Sequence, residues 1–395
     1  MINICVNGLF RYDQYIRHFK EKNILSQFYY SHKISTNADK LGIREDQANN
    51  LWLKEYILHG ILKVNPSLST RLKSHIYDLW QHQVLSRYQE SDCVLAVIGE
   101  AADKILSVAK RQGSTTIGHA VTSHPSELEV QLSIEHEILG LPKPNFTVSP
   151  RRIKEIDLCD KIIVDSSFVA RSYSAHGIPL EKIKIFTPGA DLSRFSARDP
   201  EAVGRKEFSV VSVGALNPRK GHRYLLEAWK MLGAPGKLTI IGSETEFTKD
   251  LVGSYSDIFE HVPYVANAEL RKILITASVF VLPSVEDGFA QAAMEALACG
   301  VPVICTSNAG IADLVSQGVN GYVVEPRDSK AIAECLSKLL DDRILTAELG
   351  VNAAAMVKST GSWENYVEKF ITEFCVNSDR KLGVSNADGV YTKGR

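Results

Sequence analysis

The chain alternates short apolar runs, too short to be core helices, with stretches whose apolar residues recur at helical spacing. The second half shows this most plainly. Residues 208–216 (FSVVSVGAL), 236–243 (GKLTIIGS), 278–284 (SVFVLPS) and 301–307 (VPVICTS) read as buried strands. Between and after them, 221–232, 268–277, 290–300 and 329–342 read as helices, the first with Leu225, Leu226, Trp229 and Leu232 on one face. Such alternation predicts a doubly wound parallel sheet, an α/β fold. The first half repeats the pattern less clearly, with strand-like runs at 92–100, 115–121 and 160–167 and a helix at 167–177 closed by Gly177. The opening MINICVNGLF reads as a first core strand, since Arg11 ends the apolar run too early for a signal peptide. Residues 181–206 begin as a strand and turn polar and irregular, which places a domain boundary near residue 203. The tail 377–395 lacks apolar periodicity and is expected to be disordered.

A length of 395 residues suits two domains. A formal net charge of −1 indicates no bulk attraction to nucleic acid. The seven cysteines are scattered, odd in number and never in a C-x-x-C pair, which argues against a disulfide framework or a zinc site and for a reducing, cytoplasmic setting. The chain has no apolar run of about 18 residues, so no membrane span is expected.

The stretch PSVEDGFAQAAMEALACGVPVICTS, 283–307, carries the chemistry. In an open parallel sheet, ligands bind outside the carboxyl ends of the strands. The segment VEDGF follows such a strand. Gly288 permits a tight turn, and the helix is expected to start near Phe289, with its free N–H groups aimed at an anion such as a diphosphate. Asp287 before the turn and Glu295 within the helix can accept from sugar or ribose hydroxyls. Glu295 could instead pair with a basic residue, and Asp287 could be a helix-cap acid. The strand before it and ACGVPVICT after it favour the ligand reading.

These residues resemble the signature of retaining glycosyltransferases of family 4, the E-x7-E motif of the GT-B fold. Asp287 takes the first acidic position, where the family usually has Glu, and Glu295 the second; Glu286 is a substitute for the first. The resemblance implies that the first acid contacts hydroxyls of the donor sugar. It implies that the second contacts the ribose, and that N–H groups of Gly288, Phe289 and Ala290 hold phosphate. VSVGALNPRKGHRYLLEAW, 211–229, is similar to the family's strand–loop–helix with a Lys-Gly pair. Lys220 matches the lysine on the donor diphosphate, Gly214 ends the strand, and Arg219 supplies a second cation where Ala215 stands in the family's arginine place. Two cations there suit a developing pyrophosphate. Gly242 in IIGSETE matches a strand that often ends Gly-x-Gly, and the backbone around Val262 and Tyr264 matches the segment that cradles the base. GSWENYVEKF resembles the helix that crosses back onto the first domain. The match is strong from 159 to 370 and weak before it.

In the first half, TTIGHAVTSHPSE holds two histidines after a strand. His119 is the better match to the family's cleft histidine, with His124 in reserve; orienting the sugar and acting as base both stay open. Gly8 stands where the family has a Gly-rich loop, and Phe10 and Asp13 resemble a bacterial subgroup. Residues 52–87 interleave Lys54, Lys63, Arg71, Lys73 and Arg87 with Trp52, Tyr56, Tyr77 and Trp80. That pattern suits contact with an anionic membrane surface, and equally a solvated face over core aromatics.

The expectation is a GT-B fold, two Rossmann-like doubly wound domains facing across a cleft. Domain one is 1–203 plus a crossover helix at 362–376, and domain two is 204–361. The implied activity is retaining, metal-independent transfer of a hexosyl unit from a UDP- or GDP-sugar to a glycan or lipid-linked acceptor in polysaccharide biosynthesis, in the cytoplasm or at the inner face of the membrane. His119, Asp287 and Lys220 are the catalytic candidates. The nucleotide sugar is a substrate, and no cofactor, metal or nucleic acid is expected. A nucleotide-sugar 2-epimerase, a soluble-acceptor enzyme and a non-catalytic glycan- or partner-binding member remain alternatives. A dehydrogenase is disfavoured, since no G-x-G-x-x-G follows a strand.

Overall fold

The computed structural model describes residues 1–64, 66–197, 207–245 and 248–375. The boundary expected near residue 203 and the tail at 377–395 lie outside them.

Two parallel sheets form, one from each half of the chain. The first has β1 (Ile2–Val6), β2 (Leu25–Tyr30), β3 (Ala48–Asn50), β4 (Cys93–Val97), β5 (Thr115–Ala120), β6 (Lys161–Val164) and β7 (Ile183–Ile185), in the order β3-β2-β1-β4-β5-β6-β7. The second has β8 (Ser209–Val213), β9 (Lys237–Ile241), β10 (Glu260–Val262), β11 (Val279–Leu282), β12 (Val303–Thr306) and β13 (Gly321–Val324), in the order β10-β9-β8-β11-β12-β13. Both are doubly wound Rossmann-like sheets, with the strand order reversing between β1 and β4 and between β8 and β11.

Most strands are largely apolar because helices cover both faces, the edge strands β3 and β10 carrying polar residues. Successive side chains point to opposite sides, so each strand feeds two cores. Ile4 and Val6 pack on one face of the first sheet and Cys5 on the other. Phe280 and Leu282 face one core of the second sheet, Val279 and Val281 the other. Polar side chains start the helices. Asp328 accepts the Ala331 N–H at 2.8 Å, Asp342 accepts the Leu345 N–H at 2.8 Å, and Ser362 accepts the Asn365 N–H at 3.1 Å.

The C-terminal helix Trp363–Phe370 returns to the first domain. Trp363 stacks on Tyr15 with ring centroids 4.6 Å apart, and its indole N–H donates to Gln14 Oε1 at 2.9 Å. Phe370 meets Phe19 edge-on at 5.2 Å. This helix closes one face of the first sheet, so the first domain's core includes side chains from both ends of the chain.

Of the basic and aromatic set at 52–87, Trp80 and Lys54 are buried, Lys54 pairing with Glu55 at 2.7 Å and donating to the Asn7 carbonyl. Tyr77 lies beneath the ammonium groups of Lys54 and Lys73. Tyr56 is exposed, and the side chains of Lys63 and Arg71 are outside those described.

Trp363→Ala removes a buried indole and a hydrogen bond from the returning helix. It should destabilise the first domain by about 3–5 kcal/mol, the usual range for deleting a buried Trp. The check is urea denaturation followed by circular dichroism, with the first-domain transition moving to lower urea.

Candidate functional site

The loops after β8 and β11 flank the switch point of the second sheet, and their side chains meet across it. After β8, the chain makes a short 3₁₀ turn, Pro218–Lys220, capped by Asn217, whose Oδ1 accepts the Lys220 N–H at 3.1 Å. Gly221 follows in the left-handed region at φ 62°, and a Cβ there would stand 2.1 Å from the Pro283 carbonyl oxygen. The turn presents Arg219 and Lys220 to the loop after β11. Arg219 Nε donates to Glu286, and Lys220 Nζ donates to Asp287.

The two acids differ in where they face. Glu286 is fully buried, and its second oxygen accepts the Ser123 N–H of the first domain at 3.0 Å. Asp287 lines the cleft between the sheets. Burial pushes its pKa up, but the charges of Lys220 and Arg219 more than offset that and hold the carboxyl below its usual range. The adjacent Gly288 touches the first domain directly, since a Cβ on it would stand 2.1 Å from the Val121 carbonyl oxygen. Its own carbonyl accepts the Ser166 hydroxyl at 2.9 Å.

The helix after this loop starts later than expected. It spans Gln291–Ala298, and Ala290 precedes it in the left-handed region at φ 67°. An L-residue with a side chain pays roughly 1–2 kcal/mol for that conformation. Phe289 therefore lies in the loop, packed in the core, and the first-turn N–H groups belong to residues from Gln291 onward.

The cleft has a volume of about 300 Å³. Arg11, His119 and Asp165 line it from the first domain, and Lys220, Asp287 and Phe289 from the second, with Ala290 at its edge. His119 is buried and both ring nitrogens are engaged. Nε2 bonds Asp165 Oδ1 at 2.9 Å and Nδ1 bonds the Tyr12 hydroxyl at 2.9 Å. Burial raises the Asp165 pKa, while Arg11 and His119 pull it down further than burial lifts it, so Asp165 is an ionised acceptor. Arg11 donates to its other oxygen. In this arrangement the His119 ring has no free lone pair.

Phe10, also singled out in the sequence, lines this cleft too, whereas His124, Gly8, Gly214, Gly242, Val262, Tyr264 and Glu295 are not among its lining residues. His124 caps the helix Pro125–Ile138 by accepting the Ser126 N–H at 3.2 Å and stacks on His176 at 4.4 Å. Burial and His176 push its pKa down to about 4. Gly8 lies two residues beyond β1, its carbonyl accepting the Ser31 N–H at 3.1 Å. Gly214 and Gly242 sit back to back at the ends of β8 and β9. The Val262 carbonyl is taken by the Gly242 N–H at 2.9 Å, and Tyr264 is 80% exposed. Glu295 is half-buried and makes no side-chain hydrogen bond among the described residues. Burial lifts its pKa to about 7, with Arg194 pulling it down and Asp191 pushing it up. No cluster of three or more His, Cys, Asp or Glu that could hold a metal ion occurs among the described residues. No helix among them is long and apolar enough to cross a membrane.

Sequence reasoning passed over Arg11, Asp165 and Ser123. Asp165 had a readable signal, an acid directly after the strand run KIIV, at the carboxyl edge where ligands bind. Ser123 had none, because it contributes a backbone N–H.

Residues 193–356 match the family model described as glycosyl transferases group 1. A protein of Escherichia coli (strain K12) named "Putative colanic acid biosynthesis glycosyltransferase WcaL" is 32% identical over 320 residues, 73% of this chain and 76% of that protein. CapM of Staphylococcus aureus, named a capsular polysaccharide biosynthesis glycosyltransferase, is 30% identical over 219 residues, 53% of this chain and 56% of that protein. The alignment spans about half the length of several other curated relatives. Among solved structures, a sucrose-phosphate synthase from Thermosynechococcus elongatus superposes with a TM-score of 0.68 at 16% identity, covering 97% of this chain and 99% of that one. Anabaena Alr3699/HepE in complex with UDP gives 0.66 at 15% identity, covering 95% and 99%. These likenesses show the shared two-domain fold. With its group 1 domain and its extended match to a named glycosyltransferase, the chain belongs to the glycosyl transferases group 1 family.

Proposed function

We propose that this chain is a retaining glycosyltransferase of polysaccharide biosynthesis. It moves a hexosyl unit from a UDP- or GDP-sugar to a hydroxyl of a glycan or lipid-linked acceptor. The observation that carries this reading is the pair Lys220–Asp287 in the cleft at the switch point of the second sheet. A cation and an acid side by side suit the two ends of a sugar diphosphate. Lys220 would take the phosphate oxygens, and Asp287, released from it, would accept from sugar hydroxyls. Arg219 stands behind with its charge committed to Glu286, so its contribution to the phosphate is through the local field. Glu295, with no side-chain hydrogen-bond partner, suits paired ribose hydroxyls.

Because the His119 nitrogens are both engaged, the ring would shape and orient the cleft wall. A phosphate oxygen of the leaving diphosphate would then accept the proton of the incoming hydroxyl on the same face. Positive charge from Lys220 supplies leaving-group stabilisation, so the reading calls for no divalent ion. Domain contacts at Gly288 and Glu286 would keep water from the donor.

A thermal-shift panel of UDP, GDP, ADP and CMP tests the donor site. One nucleotide should raise the melting temperature, with the rise lost in Glu295→Ala. No shift with any of the four, or full stabilisation retained in the variant, overturns the assignment. With the matching sugar nucleotide and an acceptor, Lys220→Ala should lower kcat about 10²–10³-fold, as losing one transition-state charge contact does. An effect on KM alone would show that Lys220 only binds.

The pH dependence has a definite sign. Ribose hydroxyls donate to an ionised Glu295, so bound nucleotide lowers a pKa that stands at about 7 when the site is empty. Affinity should be full above about pH 7 and fall by up to about tenfold per unit below it. Calorimetric titration from pH 5.5 to 8 checks this, and Glu295→Gln should flatten the profile.

A further inference from the structure

A second cavity lies behind the Pro218–Lys220 turn, on the far side from the cleft. Its volume is about 410 Å³, within the range of small-molecule sites. Both domains build it. Glu135, Leu139 and Leu141 come from the end of the helix Pro125–Ile138 and the chain beyond it. Asn217, His222 and Tyr255 are among the residues from the second domain. The domains are fastened beside it. Arg327 Nε donates to Glu135 at 2.9 Å, and the Tyr224 hydroxyl reaches the same carboxylate at 3.0 and 3.1 Å.

One wall residue lacks what burial normally requires. His222 is 3% exposed, and its Nδ1 is enclosed with no hydrogen-bond partner. Leaving a buried polar atom unpaired is destabilising, and a bound ligand can remove that cost. Burial and the nearby Lys220 charge push the His222 pKa down to about 3, so the imidazole is neutral and offers one donor and one acceptor. The carboxylate of Asp250, also on the wall, makes no ion pair among the described residues. Glu135 is occupied by Arg327 and Tyr224, and Arg223 by Glu227 at 2.7 Å. Beside the Asn217 amide and the Tyr255 hydroxyl, the polar groups left over are a neutral imidazole and a carboxylate, set among leucines. An anionic ligand would meet the Asp250 charge, and among the described lining residues the cation, Arg223, is already paired with Glu227. A neutral ring with several hydroxyls matches, its hydroxyls bonding His222 and Asp250 and its C–H face lying on the apolar wall.

We propose that this cavity binds a neutral sugar at a site distinct from the cleft. The site does not depend on the transferase reading. It shares the Asn217–Gly221 loop with Lys220, so an occupant touches the reverse side of the loop that faces the cleft.

The test is titration of the full chain with glucose, galactose, mannose and N-acetylglucosamine, without nucleotide, by calorimetry or saturation-transfer NMR. At least one sugar should saturate. Its Kd should rise tenfold or more in His222→Phe and in Asp250→Asn, and stay within twofold in Asp287→Ala. No binding by any of the four overturns the proposal. So does binding that survives both cavity variants, or is lost only in Asp287→Ala, which would put the sugar in the cleft. Asp250 is exposed, so its variant decides the matter if His222→Phe does not fold. UDP and GDP shifts on the same samples keep failure of this site separate from failure of the donor site.

Discussion

Two neighbouring carboxylates, Glu286 and Asp287, are buried at the end of β11, and two neighbouring cations from the loop after β8 neutralise them. Neither pair is tolerable alone. A carboxylate taken out of water costs several kcal/mol, which is repaid only when the partner and the remaining hydrogen bonds are in place. The loops after β8 and β11 must therefore be held in register by the sheet they cap. The sheet supplies that register because β8 and β11 pair directly, Val279 opposite Val210 and Phe280 opposite Val211. The domain interface builds on the same acids. Glu286 needs an acceptor's second contact and finds it in the Ser123 N–H, so the cleft is shaped where burial of that acid demands it.

Much of the second domain was legible because most of its strands are short, mainly apolar and separated by helices with one apolar face. Runs such as VFVL and VICT leave no room for another reading once they alternate with helices. The first domain was harder for a physical reason. Leu25–Tyr30 carries Ser26 and Gln27 in a strand, and Gln27 is buried because it bonds Gln89 and Asn49 side chains. Hydrogen bonds from residues far along the chain make that glutamine an interior residue, and no local window contains them. The helix Arg343–Thr360 escaped notice for a different reason, as its sequence RILTAELGVNAAAMVKST has almost no one-sided apolar face.

At the site, the same divide separates what a motif holds from what the fold assembles. The residues 219, 220, 286 and 287 are read from two short stretches. Which acid faces the cleft is decided by the backbone after β11, and by whether an N–H of the first domain is there to receive the other. Arg11 and Asp165 are 154 positions apart and come together only because β1 and β6 end on the same edge of one sheet. The start of the following helix moved for a conformational reason, since Ala290 at φ 67° cannot belong to it.

The buried chain Arg11–Asp165–His119–Tyr12 changes what a histidine in this cleft can do. A base needs a lone pair aimed at the proton it removes. Here one nitrogen faces an ionised carboxylate and the other a phenol, and Asp165 is itself pinned by a guanidinium. Freeing the ring would cost two buried hydrogen bonds and leave Asp165 with only Arg11. The arrangement instead gives the cleft a rigid wall opposite Lys220 and Asp287. Arg11 reaches across to the Phe289 ring at 5.8 Å, which ties that wall to the second domain. On the proposed reading, proton transfer is then left to the donor's own phosphate. The protein's part is to hold the reacting groups together and to keep the charge of Lys220 undiluted by water.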